Sequence, residues 1–239
     1  MRLITYVLFL CSAFGSRIAL ADMRQCAGVP FGDPGAVGVM RVAPNAARVN
    51  FVADQSDKQR SCPSASAACQ LRAFVVAGDL VLVENGGDDP FVCATFVNAK
   101  GNDTSGFLPR ASLSPEASAA NPKPTDWAGS WQRVEAEIKL KARGATVEAN
   151  GEATWGSGDP DRVKRGGVHI GDFDGTAKPV GRLLAFGDGY DGSKTPSDVK
   201  SDNCLVRLNL FGDYLMAEDN NNCGGLNVSF MGVYRRSGR

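Results

Sequence analysis

Six cysteines, a single histidine and a few closely spaced carboxylates are the residues that could carry chemistry in the main body of this 239-residue chain. Cys26, Cys62, Cys69, Cys93, Cys204 and Cys223 contain no CxxC pair, and His169 is the sole histidine, so a zinc site has too few ligands at the usual spacing. An even cysteine number behind an export signal reads as a disulfide framework instead. That leaves no free thiolate for nucleophilic catalysis. A serine nucleophile would need His169 as its base, yet His169 falls in the strand-like run VHIGDF and no GxSxG elbow occurs. His169 is therefore expected to be structural or at the surface. The acid pairs are Asp172 with Asp174 and Asp188 with Asp191. A glycosidase holds two carboxylates across a cleft. Here each pair sits beside glycines, in GDFDG and GDGYDG, where acids suit turns and strand ends. Calcium binding by the same runs lacks the distal glutamate and spacing of an EF-hand. No cofactor or metal is expected.

Aromatic and loop residues offer a binding chemistry. Trp127 and Trp131 are four apart and are expected to plug one end of a barrel. Trp155 is isolated, and Tyr190 lies between Gly189 and Asp191, where exposure is expected. The run at 187–199, GDGYDGSKTPSDV, is long for a connection between strands, and long loops tend to be functional. Tyr190, Ser193 and Lys194 are its best contact candidates. Asn102 and Asn227 stand in glycosylation sequons, the second within an expected strand.

Lys plus Arg and Asp plus Glu each number 26, so the formal charge is zero and no basic face argues for nucleic acid. Residues 1–21 read as a secretory signal peptide: Arg2, an apolar stretch over 3–14 too short to span a bilayer, and Ala19-Leu20-Ala21 before the cut. Leu10 before Cys11 is too large for a lipoprotein motif. Without Arg2 and Arg17 the mature chain has 24 basic and 26 acidic residues, a net charge of −2. No later segment is apolar enough to span a membrane, so the protein is expected in the periplasm or secreted.

The elements that must position these residues are strands. Gly is 28 of 239, and short apolar runs alternate with turn clusters. Strands are expected at 48–53, 71–76, 80–84 and 91–97. A linker, 115–125, follows; Pro122 and Pro124 are expected to hold it extended. Behind it Val134, Ala136, Ile138, Leu140 and Ala142 alternate with charges, giving a half-buried strand. Further strands are expected at 146–154, 168–173, 182–186, 204–210, 214–218 and 226–234. So many edges are hidden most economically in a closed antiparallel barrel or a tight sandwich. The fold class is all-β: a small barrel over 22–114 and a second barrel or sandwich over 126–239.

A hairpin turning at Phe211-Gly212-Asp213 sets residue 204 opposite about 221, so Cys204–Cys223 staples its open end. The first four cysteines allow three pairings. The short spacing of Cys62 and Cys69 favours a loop clip, leaving Cys26–Cys93 to tie the N-terminal arm to a strand.

The run LRAFVVAGDLVLVENG, the strand FVCATFVNAKG and TSGFLPRASL resemble a bacterial SH3-like (SH3b) domain over about 46–114. The resemblance rests on Gly78-Asp79 with Val81 and Val83, the strand at 91–97, and Gly106-Phe107-Leu108-Pro109 before Leu113; Phe107 stands where the family usually has Trp. It implies a small barrel that binds cell-wall peptides or accompanies wall enzymes. The frame WAGSW, then GVHIGDFDG and GDYLMAEDNNNCGGLNVSFMGVYRR, resembles an uncharacterised periplasmic β domain found behind such modules. A short disulfide-bearing barrel is also similar in architecture to MliC-type lysozyme inhibitors, although their Ser-Gly loop has only a loose echo in Asp191-Gly192-Ser193-Lys194.

The expected function is that of an exported, noncatalytic protein engaging peptidoglycan or a cell-wall enzyme. The alternatives are an inhibitor of lysozyme or lytic transglycosylase acting through the 187–199 loop, and a carboxylate-dependent wall hydrolase. Few contacts are expected between the halves, so a fragment from about Pro124 is expected to fold alone.

Overall fold

The computed structural model describes residues 24–56, 60–86 and 88–237; the leader assigned to residues 1–21 lies outside them. The chain is nearly all β. The first sheet holds β1 (Val37–Val42), β2 (Val49–Val52), β3 (Gln70–Val75), β4 (Leu80–Glu84), β5 (Phe91–Val97), β6 (Asp103–Pro109) and β7 (Leu113–Pro115), in the order β3-β2-β6-β5-β4-β1-β7. A one-turn 3-10 helix, Arg110–Ser112, joins β6 to β7. Between β1 and β4 the chain makes a long excursion that contains the β2–β3 hairpin. Val42, Phe51, Val75, Val81, Val92 and Leu108 fill the core of this unit. β1 escaped the sequence reading because its run VGVMRV follows Pro34-Gly35 and contains Gly38, a residue that weakens a strand interior.

The second sheet runs in chain order: β8 (Gly129–Arg133), β9 (Ala136–Arg143), β10 (Thr146–Trp155), β11 (His169–Ala177), β12 (Leu183–Phe186), β13 (Val206–Phe211), β14 (Tyr214–Asp219) and β15 (Gly232–Ser237). β15 returns to pair with β8, with Arg236 opposite Trp131, so eight antiparallel strands wrap into a nearly closed up-and-down barrel. The ladder is interrupted between β11 and β12, where the rings of Phe173 and Phe186 meet at 5.7 Å. Alternation on β9 is as expected, with Ala136, Ile138 and Leu140 inside and charged residues outside. The strand does not begin at Val134, however. Val134 and Glu135 form the two-residue turn into β9, Glu135 at φ 61°, and Val134 is exposed.

Two further expectations are corrected and one short helix is added. Pro124 does not keep the linker extended; it opens a one-turn helix, α1 (Pro124–Trp127), where a missing N–H costs nothing. A second short helix, α2 (Pro160–Lys164), interrupts the second unit, with the Asp159 carboxylate accepting from the N–H groups of Asp161 and Arg162. Residues 226–231 are not a strand. They form a loop that drives Val228 and Phe230 into the barrel, and Asn227 sits at φ 68° in that loop. The buried Asp219 carboxylate holds it by accepting from Phe230 N at 2.7 Å and Ser229 Oγ at 2.9 Å.

The disulfides are Cys26–Cys93, Cys62–Cys69 and Cys204–Cys223. Val206 pairs with Asp219, which carries the hairpin register back to 204 opposite 221.

The halves do not stand apart. β13 and β14 are buried on both faces. Their outward residues Phe211, Tyr214 and Met216, with Val233 of β15, pack on Val29, Val37, Val39, Leu82 and Val97 of the first unit. The Tyr214 hydroxyl donates to Leu80 O, Arg235 Nη1 donates to Val97 O at 3.0 Å, and Val134 N donates to Gly101 O at 3.1 Å. Gly101, at φ 79°, lies where a Cβ would come within 2.6 Å of Arg133 Cα, so only glycine permits this approach. Each large apolar side chain buried there stabilises by roughly 1.5–3 kcal/mol relative to water. The expectation of few contacts between the halves therefore fails.

Candidate functional site

The barrel interior holds side chains rather than a ligand. Trp131, Ile138, Leu140, Leu184, Leu208, Leu215, Phe230 and Tyr234 are fully or almost fully buried there. At Gly151 a Cβ would lie 2.1 Å from Phe173 and 2.9 Å from Phe230. Trp127 and Trp131 join this core as expected, Trp131 Nε1 donating to Trp127 O at 3.0 Å. The barrel interior is therefore filled, and the candidate sites lie on the outer surface.

The loop after β12 builds a surface site. Gly187, Gly189 and Gly192 take positive φ, and the chain folds back so closely that a Cβ on Gly192 would meet Ala185 and Leu183 at 3.0 Å. Pro196 is buried, in a 3-10 turn over Pro196–Asp198. Tyr190 is not exposed as expected but half-buried. Its hydroxyl donates to Lys194 O at 2.7 Å, and burial pushes its phenol up to about 12. The Asp191 carboxylate accepts from Ser193 N at 2.9 Å, and that bond holds it below the usual aspartate range. The loop is thus a braced turn that presents the exposed Ser193 and Lys194.

The facing wall is equally fixed. Asn220 accepts from Leu205 N at 3.0 Å and donates to Asn203 O at 2.8 Å; Asn222 donates to Ser201 O at 2.8 Å, beside Cys204–Cys223. Between the walls lies a depression of about 360 Å³ lined by Asp188, Tyr190, Lys194, Lys200 and Ser201, with Leu205 among its floor residues. The three loop residues picked from the sequence thus share one pocket. Lys200 and Ser201 were missed, because they lie beyond the loop in the run leading to Cys204.

The other candidates are dispersed. Asp172 and Asp174 share the outer face of β11, as expected, with Asp172 opposite Glu152. Both are exposed, whereas a glycosidase encloses its pair in a cleft. Asp188 and Asp191 are likewise exposed. No cluster of metal-ligating side chains occurs among the described residues. His169 opens β11, its Nδ1 2.5 Å from Leu226 O and its ring 5.2 Å from that of Trp155. The Arg162 guanidinium lies 4.1 Å from the Trp155 ring centre, so Trp155 carries neighbours rather than a bare stacking face. Asn102 is exposed in the turn before β6.

Sequence reasoning also missed the polar edge of the junction. Arg207 and Glu218, opposite each other on β13 and β14, form an ion pair with both side chains nearly inaccessible. Arg207 Nη2 also donates to Phe31 O of the N-terminal arm at 3.4 Å. Burial raises the Glu218 carboxyl pKa although Arg207 opposes the shift. Alternation alone reads these residues as a wet face. The clue was the large side chains of Phe211, Tyr214 and Met216 on the same outward face.

Comparison with family models, curated proteins and solved structures finds no match to this chain. Three disulfides fit an oxidising compartment outside the cytoplasm. No helix among the described residues is long and apolar enough to cross a membrane.

Proposed function

We propose that this chain is an exported, periplasmic binding protein that engages peptidoglycan without catalysing its cleavage, with an SH3-like module as its first unit. The observation that carries this reading is the strand order β7-β1-β4-β5-β6, with a long excursion after β1 and a 3-10 turn before β7. That order supports an SH3-like reading of β1 and β4 to β7, with β2 and β3 added beside β6. Binding rather than catalysis is supported by the chemistry on hand. All six cysteines of the described residues are oxidised, and the one imidazole is held against a main-chain carbonyl. Sedimentation of the mature protein with purified sacculi at low salt tests the reading. Retention with the sacculi is expected, and a protein that stays wholly in the supernatant removes it.

One observation favours a second reading, inhibition of lysozyme or a lytic transglycosylase. Ser193 and Lys194 are presented by a turn already braced through Tyr190 and Asp191, and such preorganisation lowers the entropy lost on docking into an enzyme cleft. Slowed muramidase clearing, restored by Ser193→Ala with Lys194→Ala, would favour it. Undiminished clearing at large molar excess excludes it.

A further inference from the structure

The pocket beside the 187–199 loop is lined by charges of both signs. Lys194 and Lys200 line it, and no ion pair among the described residues engages either ammonium group. Asp188 lines the same depression and is also outside every ion pair among the described residues. Asp191 also lines it, its carboxylate accepting from Ser193 N and keeping its negative charge beside Lys194. Two cations and two anions thus line about 360 Å³, with Tyr190 and Ser201 beside them.

We infer that this pocket binds a zwitterionic ligand of amino-acid to short-peptide size, its carboxylates on Lys194 and Lys200 and its amine on Asp188. A purely anionic ligand would be repelled by Asp188, and a purely cationic one by the two lysines. The walls are set in advance by the Tyr190–Lys194 bond on one side and by Asn220, Asn222 and Cys204–Cys223 on the other. Little ordering therefore opposes binding. Resting on the peptidoglycan reading above, the ligand is the stem peptide, which carries free carboxylates and an amine together, and not the glycan strand.

Calorimetric titration of the mature protein with a free stem tetrapeptide containing diaminopimelate tests this. Parallel arms use the same peptide N-acetylated on both amines and a peptide-free chito-oligosaccharide. The expected result is saturable binding of the free tetrapeptide, weakened at least tenfold by acetylation or by Lys194→Ala with Lys200→Ala, and no heat from the oligosaccharide. Asp188→Asn should weaken the free peptide but leave the acetylated one unchanged. These are exposed side chains, so the variants should keep the wild-type unfolding midpoint. No binding of the tetrapeptide, or equal affinity in the double lysine variant, overturns the inference. If sacculi still retain the protein in that case, the peptidoglycan reading stands and only the pocket assignment falls; if sacculi release it as well, both fall.

Discussion

Gly151 and the Arg207–Glu218 pair show how single positions decide what this surface can do. Gly151 faces Phe173 and Phe230 inside the barrel, and any Cβ there collides with both rings. Gly151→Ala should lower stability by about 1–3 kcal/mol through overpacking, measured by denaturant unfolding. An unchanged midpoint would mean the interior has slack, and with it room for a ligand. Arg207→Met alone should cost about 3–5 kcal/mol, because it strands the Glu218 carboxylate in a dry junction. Adding Glu218→Leu should recover most of that loss; a double variant as unstable as the single one would contradict the buried-pair account. Glu218 also shows what the sequence could not reveal. Its place in an alternating run is that of a solvated charge, and only the packing of Phe31 and the first unit over β13 and β14 makes it buried.

At the scale of elements, hairpins and their staples were the most legible. Short turns flanked by apolar runs set β4, β5 and the β13–β14 hairpin, and the register of that hairpin was enough to pair Cys204 with Cys223. Reduction of this bridge reopens a loop of about 20 residues and should cost about 3 kcal/mol in the chain-entropy model, read as a lower thermal midpoint in reductant. An unchanged midpoint would show that the loop is fixed without it. Less legible were elements whose residues serve two purposes. β1 was not picked out as a strand, and Asn227-Val228-Ser229 looked like strand although it belongs to the loop that fills the barrel. Pro124 was a breaker by type but a helix opener by position. The candidate loop was found by length alone; that it folds back to make a pocket depends on Gly192 approaching β12, which no local pattern announces.

At the scale of the molecule, the two sheets share a buried apolar junction, so they should unfold together. A fragment starting at Pro124 would expose Phe211, Tyr214, Met216 and Val233, and it should show a depressed midpoint or self-association relative to the full chain. A fragment as stable and monomeric as the whole would contradict the shared junction. Burial of the tyrosines, at the junction, in the barrel and in the 187–199 loop, fixes the alkaline limit. Burial pushes the phenols of Tyr190, Tyr214 and Tyr234 up to about 12, against about 10 in the unfolded chain. The stability gained by keeping them neutral is fully present below pH ~10 and is lost as pH rises through about 12. These are the only tyrosines after residue 21, so tyrosinate absorbance of the mature protein should appear late and together with unfolding. Titration near pH 10 in a folded protein would contradict their burial. The central claim, surface recognition of peptidoglycan by this two-sheet β protein, is tested most directly by a binding isotherm of the mature protein on purified sacculi. The account predicts saturable sedimentation with a defined plateau, lowered when the stem peptides are stripped from the sacculi. Sedimentation that is absent, or rises linearly without a plateau on intact and stripped sacculi alike, would contradict it.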